Sequence, residues 1–324
     1  MKKKVVLYKS IPEQQLNRLK AHFDLSYFAD INEQNRAGFI AALAEAEGLI
    51  GASEPMPEAM LDKATKLKAI STISVGTDQF DLDYLAARNL PLMHTPLVLT
   101  STTADTIFML MMCTARRAVE LSNMVREGRW QASLGSEYFG VDVHGKTLGV
   151  VGMGRIGYAL AKRAHLGFDM KINYFNRNNN ERAEQDFDAQ RMDLATLLKS
   201  SDFVCVVLPL TPETDKMFAK AEFEMMKEEA IFINGSRGKI VNEADLITAL
   251  QNKTIRAAGL DVFEVEPLPG NSPLCRLDNA VVFPHIGSAT TETRLKMVSN
   301  AVDNLIAALD GDISKNCANL NLMK

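Results

Sequence analysis

Leu148-Gly149-Val150-Val151-Gly152-Met153-Gly154-Arg155-Ile156-Gly157 decides how the rest of the chain is read. A short run of β-formers ends in Gly152-x-Gly154-x-x-Gly157, and Tyr158 to His165 follows with apolar residues three and four apart, giving strand, tight turn, helix. Each glycine has a physical role: Gly152 makes the turn, Gly154 lets the backbone approach a pyrophosphate, and Gly157 lets the helix close on its strand. The N–H groups at the helix start, with the positive end of the helix dipole, would hold the phosphates, and Arg155 and Ile156 belong to the same turn. The same pattern also occurs in turns with no ligand, so the remaining sequence has to supply the support.

The composition sets bounds. A chain of 324 residues, 47% hydrophobic and 23% charged, has the length for two domains and a large core. Lys and Arg number 36 against 40 Asp and Glu, a net charge of -4, and no stretch gathers basic residues, which argues against nucleic acid as a partner. The apolar run Val5 to Tyr8 is far too short for a signal peptide or a membrane span, so a cytoplasmic protein with no membrane partner is expected. Cys113, Cys205, Cys275 and Cys317 are widely spaced, which suggests neither a disulfide framework nor a metal site.

Outward from the glycine turn, short apolar runs alternate with helical patterns on both sides. Before it, runs at 4–8, 47–51, 69–73 and 91–93 flank amphipathic stretches at 12–22, 33–46, 57–66 and 79–88. After it, runs at 171–175, 203–208, 230–234, 257–262 and 280–284 are separated by helical patterns that include 193–200, 219–227 and 243–251. This alternation predicts an α/β chain with two doubly wound parallel sheets, a flavodoxin-like substrate domain and a Rossmann cofactor domain. Thr100 to Gly128 reads as one long helix joining them, and Trp130 to His144 as an irregular segment. A long amphipathic helix from Thr290 to Leu309 is expected to return to the first sheet, so the expected division is 1–100 plus 291–324 for substrate and 101–290 for the dinucleotide. Val75-Gly76, in the loop after the 69–73 run, could expose N–H groups to an anion or could be a plain turn.

A dinucleotide reading predicts an acidic residue after the second strand of the Rossmann unit, to bind a ribose 2′-OH. Ile172 to Phe175 instead ends in Asn176-Arg177. A guanidinium suits a 2′-phosphate, which favours NADPH over NADH, with NADH still possible. Three later strand ends carry further chemistry: Asn234-Gly235-Ser236-Arg237-Gly238, Asp261 to Pro267, and Pro284-His285-Ile286-Gly287-Ser288. Strands of a parallel sheet point one way, so these loops gather at the edge that bears Gly152–Gly157. Arg237 could grip the carboxylate and carbonyl of a 2-oxo acid, His285 could give a proton to the developing alkoxide, and Glu266 would orient the imidazole and favour its charged form. Asp261 could contact a nicotinamide carboxamide or anchor its own loop. Pro209, Ser236 and Gly287, also at strand ends, complete the candidate cofactor contacts.

Together these segments, including Gly259-Leu260-Asp261-Val262-Phe263-Glu264-x-Glu266-Pro267-Leu268, closely resemble the signatures of the D-isomer-specific 2-hydroxyacid dehydrogenases. The resemblance covers essentially the whole chain. It implies catalysis by Arg237, Glu266 and His285 in a cleft between the domains, with the Val75-Gly76 backbone on the substrate carboxylate. It implies NADPH-dependent reduction of small 2-oxo acids (glyoxylate, hydroxypyruvate, 2-keto-D-gluconate) to glycolate, D-glycerate and D-gluconate, and a homodimer built by the glycine-motif domain and the 101–145 region. Gly51-Ala52-Ser53 lacks the arginine that related phosphoglycerate dehydrogenases use for a phosphate, which disfavours a phosphorylated substrate. The alternatives are a D-2-hydroxyacid dehydrogenase for another oxo acid, and a nucleotide-sensing protein resembling the corepressors of this fold, which the complete Arg237, Glu266, His285 set argues against.

Overall fold

In a computed structural model, which describes residues 1–323, the chain divides into two units between Leu99 and Thr100 and again between Ala289 and Thr290. Residues before the first divide and after the second form one unit, and Thr100–Ala289 form the other.

The first unit is a five-stranded sheet of β1 (Lys4–Leu7), β2 (Asp24–Tyr27), β3 (Gly48–Gly51), β4 (Ala69–Thr72) and β5 (Leu92–Met93), ordered β2-β1-β3-β4-β5 with every pairing parallel. That is the flavodoxin-like doubly wound order. Helices α1 (Glu13–His22), α2 (Arg36–Glu45), α3 (Glu58–Leu61) and α4 (Leu82–Ala87) connect the strands. β3 and β4 are buried at every position because both faces of the sheet are covered, and this is why they read as unbroken apolar runs. β2 lies at the sheet edge with three of its four residues exposed, so Asp-Leu-Ser-Tyr carries no such signal and its strand is not evident in the sequence. The last long helix, which we number α12 (Thr291–Leu309), packs on β3 and β4 of this sheet. A Cβ on Gly48 would come within 2.9 Å of Leu309, and Ser71 Oγ donates to the Ala301 carbonyl at 2.8 Å, so the helix lies almost directly on the strands.

The second unit opens with α5 (Thr100–Ala115) and α6 (Ala118–Arg126), where the sequence had suggested one helix. The break is at Arg117, which takes a left-handed conformation (φ 52°). The Ala115 carbonyl accepts Val141 N–H at 2.9 Å, and the Arg117 guanidinium binds both oxygens of Glu120 and the Glu137 carbonyl. A contact with a segment more than twenty residues downstream therefore ends the helix, with no local breaker. The sheet that follows has seven strands: β6 (Thr147–Val151), β7 (Lys171–Phe175), β8 (Gln190–Arg191), β9 (Phe203–Val206), β10 (Ile231–Asn234), β11 (Ala257–Leu260) and β12 (Ala280–Val282). Their order, β12-β11-β10-β9-β6-β7-β8 and parallel throughout, is the Rossmann order with one strand added at the β12 edge. Between them run α7 (Arg155–Phe168), α8 (Glu181–Phe187), α9 (Leu194–Ser200), α10 (Lys220–Met225) and α11 (Glu243–Gln251). The fold is thus two doubly wound parallel sheets. No described helix is long and apolar enough to cross a membrane.

Candidate active site

In the second unit the order of strands reverses between β6 and β9, and the glycine turn leaves β6 at that point. Gly152 has φ 108°, and a Cβ there would lie 2.6 Å from the Val207 carbonyl oxygen. One on Gly157 would lie 2.2 Å from the Gly152 carbonyl, so neither position accepts a larger residue. Gly154 differs: nothing lies within 4 Å of where its Cβ would be. The first bond of α7 runs from Tyr158 N–H to the Gly154 carbonyl at 2.8 Å, and Gly154 brings no side chain to cap the helix. The turn is therefore open at Gly154, beside the positive end of α7. A turn stripped of Cβ atoms facing an uncapped helix start fits a dinucleotide pyrophosphate.

Asn176 and exposed Arg177 follow β7. Asn180 Nδ2 donates to the Met153 carbonyl at 2.8 Å, tying this loop to the glycine turn. The Glu213 carboxyl is held below the ordinary range by its hydrogen bond to Thr211, by its own backbone and by the charge of Arg177, so Arg177 lies within electrostatic reach of the loop that Pro209 opens.

The ends of β10, β11 and β12 form a braced set. Asn234 Nδ2 donates to the Arg237 carbonyl at 2.9 Å, while Asn234 Oδ1 accepts from Ser236 N–H at 3.1 Å and Ser236 Oγ at 2.9 Å. Arg237 Nη1 donates to the Ser236 carbonyl at 2.7 Å. A Cβ on Gly238 would fall 1.8 Å from the Phe263 carbonyl carbon, so the Arg237 loop rests directly on the backbone of the loop that carries Glu264 and Glu266. Glu243 and Glu264 each accept the other's backbone N–H, at 3.1 and 3.2 Å, fixing that loop to the start of α11.

Glu266 Oε2 lies 2.6 Å from His285 Nδ1, and Glu266 Oε1 accepts Phe263 N–H at 3.1 Å. Burial pushes the Glu266 carboxyl up, but the His285 hydrogen bond, Phe263 N–H and the charges of His285 and Arg237 outweigh it, holding the group below the usual carboxylate range. His285 and Arg237 therefore both bear on Glu266. His285 itself sits at φ 54°, a strained backbone for a residue with a side chain. Asp261 maintains it: buried to 2% exposure, it accepts Ile286 N–H at 2.7 Å and Gly287 N–H at 2.8 Å. Both of its carboxylate oxygens thus anchor the His285 loop, and burial raises its carboxyl even against those donors and the charge of His285.

In the first unit, the loop after β4 turns its carbonyls inward: His94 Nδ1 lies 3.0 Å from the Val75 oxygen, and Ser74 Oγ donates to Gly76 at 2.5 Å. Among the described residues no cluster of His, Cys, Asp and Glu could hold a metal ion.

Sequence reasoning missed Asn234 and Asn180 as supports. Their signal was faint: Asn234 is followed two residues later by Ser236, and Asn180 three later by Ala183, spacings at which an asparagine oxygen can accept a bond from downstream backbone.

Residues 108–287 match the model of the D-isomer specific 2-hydroxyacid dehydrogenase NAD-binding domain. The chain is 55% identical over 324 residues to glyoxylate/hydroxypyruvate reductase B of Serratia proteamaculans (strain 568), covering 100% of both chains. Among solved structures, a Thermus thermophilus protein superposes with a TM-score of 0.88 at 38% identity, over 97% of this chain and 99% of the other. The NADPH-dependent glyoxylate/hydroxypyruvate reductase of Sinorhizobium meliloti, solved with NADP and malonate, gives 0.84 at 29% identity over 96% and 95%. With a Rossmann turn built for a pyrophosphate and full-length likeness to these reductases, the chain belongs to the D-isomer-specific 2-hydroxyacid dehydrogenases and is an NAD(P)-dependent oxidoreductase.

Proposed function

We propose that this enzyme uses NADPH to reduce small 2-oxo acids, namely glyoxylate, hydroxypyruvate and 2-keto-D-gluconate, to the corresponding 2-hydroxy acids, with His285 as proton donor. The observation that carries the reading is the 2.6 Å pair of His285 Nδ1 and Glu266 Oε2 within the field of Arg237. With Nδ1 turned to Glu266, Nε2 is the nitrogen left to face a substrate oxygen. Arg237 would pair with the substrate carboxylate and polarise the carbonyl, and the Val75-Gly76 backbone is a further candidate for that carboxylate. The dinucleotide, when bound, supplies the hydride. His285 would deliver its proton to the carbonyl oxygen as negative charge develops there, and Glu266 would stabilise the imidazolium before transfer.

Gly152, Gly154, Arg155, Ile156 and Gly157 would hold the pyrophosphate, with Asn176 and Arg177 at the 2′-phosphate and Pro209, Ser236, Asp261 and Gly287 along the rest of the dinucleotide. Asp261 would act there through the Ile286 and Gly287 backbone that it fixes. The NADPH preference is supported by Arg177 standing exposed where a carboxylate would repel phosphate, and by the Sinorhizobium meliloti relative described as NADPH-dependent.

The test is to mix the pure protein with each oxo acid and follow NADPH and NADH absorbance. Oxidation of neither cofactor with any of the acids would overturn the reading. Arg177→Asp is expected to weaken NADPH far more than NADH, and equal losses would contradict the 2′-phosphate role. We further propose a homodimer, supported by the exposed apolar side chains of Trp130, Phe139 and Leu166, and a cytoplasmic setting, supported by four cysteines that form no disulfide. Light scattering of the pure protein tests the first.

A further inference from the structure

The geometry points to Arg191 as a positioning residue for cofactor choice, one that shapes the 176–179 loop so that Arg177 is presented to a 2′-phosphate. The inference rests on the NADPH reading above. β8 consists of only Gln190 and Arg191, at the outer edge of the seven-stranded sheet, with Arg191 beside Tyr174 of β7. From that place the Arg191 guanidinium sends all three of its nitrogens to one loop. Nε donates to the Asn176 carbonyl at 3.1 Å, Nη2 to the Arg177 carbonyl at 2.8 Å, and Nη1 to Asn179 Oδ1 at 3.0 Å.

The loop has few other supports. Asn176 Nδ2 reaches the Asn178 carbonyl at 3.0 Å, and the far end is held where Asn180 N–H meets the Tyr174 hydroxyl at 2.9 Å. No regular pairing fixes the stretch between. Three acceptors in different directions within a few ångströms match the rigid planar fork of a guanidinium, and a lysine ammonium on its flexible stem cannot satisfy all three together. With the Asn176 and Arg177 carbonyls drawn toward β8, the Arg177 side chain is left to project from the loop, where it is exposed. Arg191 thus sets specificity by fixing the backbone beneath the residue that would read the phosphate.

The test measures KM and kcat with NADPH and with NADH, at one saturating oxo-acid concentration, for the wild-type enzyme and for Arg191→Ala, Arg191→Lys and Arg177→Ala. The expected result is a rise in KM for NADPH of roughly tenfold in Arg191→Ala, with KM for NADH and both kcat values within about twofold. Arg191→Lys should resemble Arg191→Ala. If Arg191 acted by charge alone, lysine would restore the wild-type KM, and that result overturns the inference. Equal losses with both cofactors would show general damage to the unit and also overturn it, with the NADH arm serving as the control for folding. A wild-type enzyme that prefers NADPH, and loses the preference in Arg177→Ala but not in either Arg191 variant, would sink this inference and leave the NADPH reading standing. A wild-type enzyme with no preference would sink both.

Discussion

A histidine that is to give up a proton needs the correct nitrogen turned outward and a partner for its charge, and in the proposed mechanism Glu266, against His285 Nδ1, would supply both. On the proposed mechanism, His285→Gln lowers kcat for oxo-acid reduction by about 10²–10⁴-fold with little change in the dissociation constant of NADPH, measured by fluorescence titration. Because the Glu266 carboxyl lies below its ordinary value, its pairing stabilises the folded protein above the unfolded glutamate pKa and is lost only as pH falls through the lower folded value. Activity should therefore persist into mildly acid solution. Glu266→Gln keeps an acceptor for Nδ1 but removes the charge, so kcat should fall by about tenfold or more; an unchanged kcat would rule out the electrostatic role. At this scale the sequence was informative about chemistry and poor about support. Arg237, Glu266 and His285 were visible because they fall in loops after three successive apolar runs, downstream of the glycine turn. Asn234, Asn180 and Arg191 were not, because what they brace lies on loops whose shape the spacing of residues does not reveal.

Among the elements, the strand-end loops hold the candidate site rigid by resting on each other. Gly238→Ala forces a Cβ into the Phe263 carbonyl carbon, 1.8 Å away, so the two loops must separate. We expect an activity loss of at least about 10²-fold and a lower melting temperature, with the far-ultraviolet circular dichroism unchanged. Glu243 offers a contrasting prediction. Burial, together with the charge of Glu264 and against the Glu264 N–H, raises its carboxyl. A raised carboxylate favours the folded state at low pH and costs stability once it ionises. Glu243→Gln, which keeps an acceptor for Glu264 N–H, should raise the melting temperature by about 1–3 °C at neutral pH and make no difference below the carboxylate range. Calorimetry at two pH values decides it. The fully buried strands β9, β10 and β11 were legible as apolar runs because helices cover both their faces. Exposed β2, two-residue β8 and the break at Arg117 were not, since edge pairing and contacts with Glu137 determine them.

For the whole molecule, the order of the elements along the chain matters as much as their shapes. The first sheet takes α12 from the far end of the sequence, and Leu305 is fully buried in that packing, with a methyl 3.3 Å from the place of a Cβ on Gly48. Leu305→Ala should cost about 2–5 kcal/mol, read from urea unfolding of the first unit's transition. The sequence suggested this return because the first unit needs a partner for its exposed face. During synthesis the consequence is one of timing. β3 and β4 emerge from the ribosome bare on the face that α12 covers, and more than two hundred further residues must be translated before that cover arrives. What is made first is completed last, so a nascent chain should engage chaperones through the Gly48–Thr72 strands until Leu309 has cleared the exit tunnel.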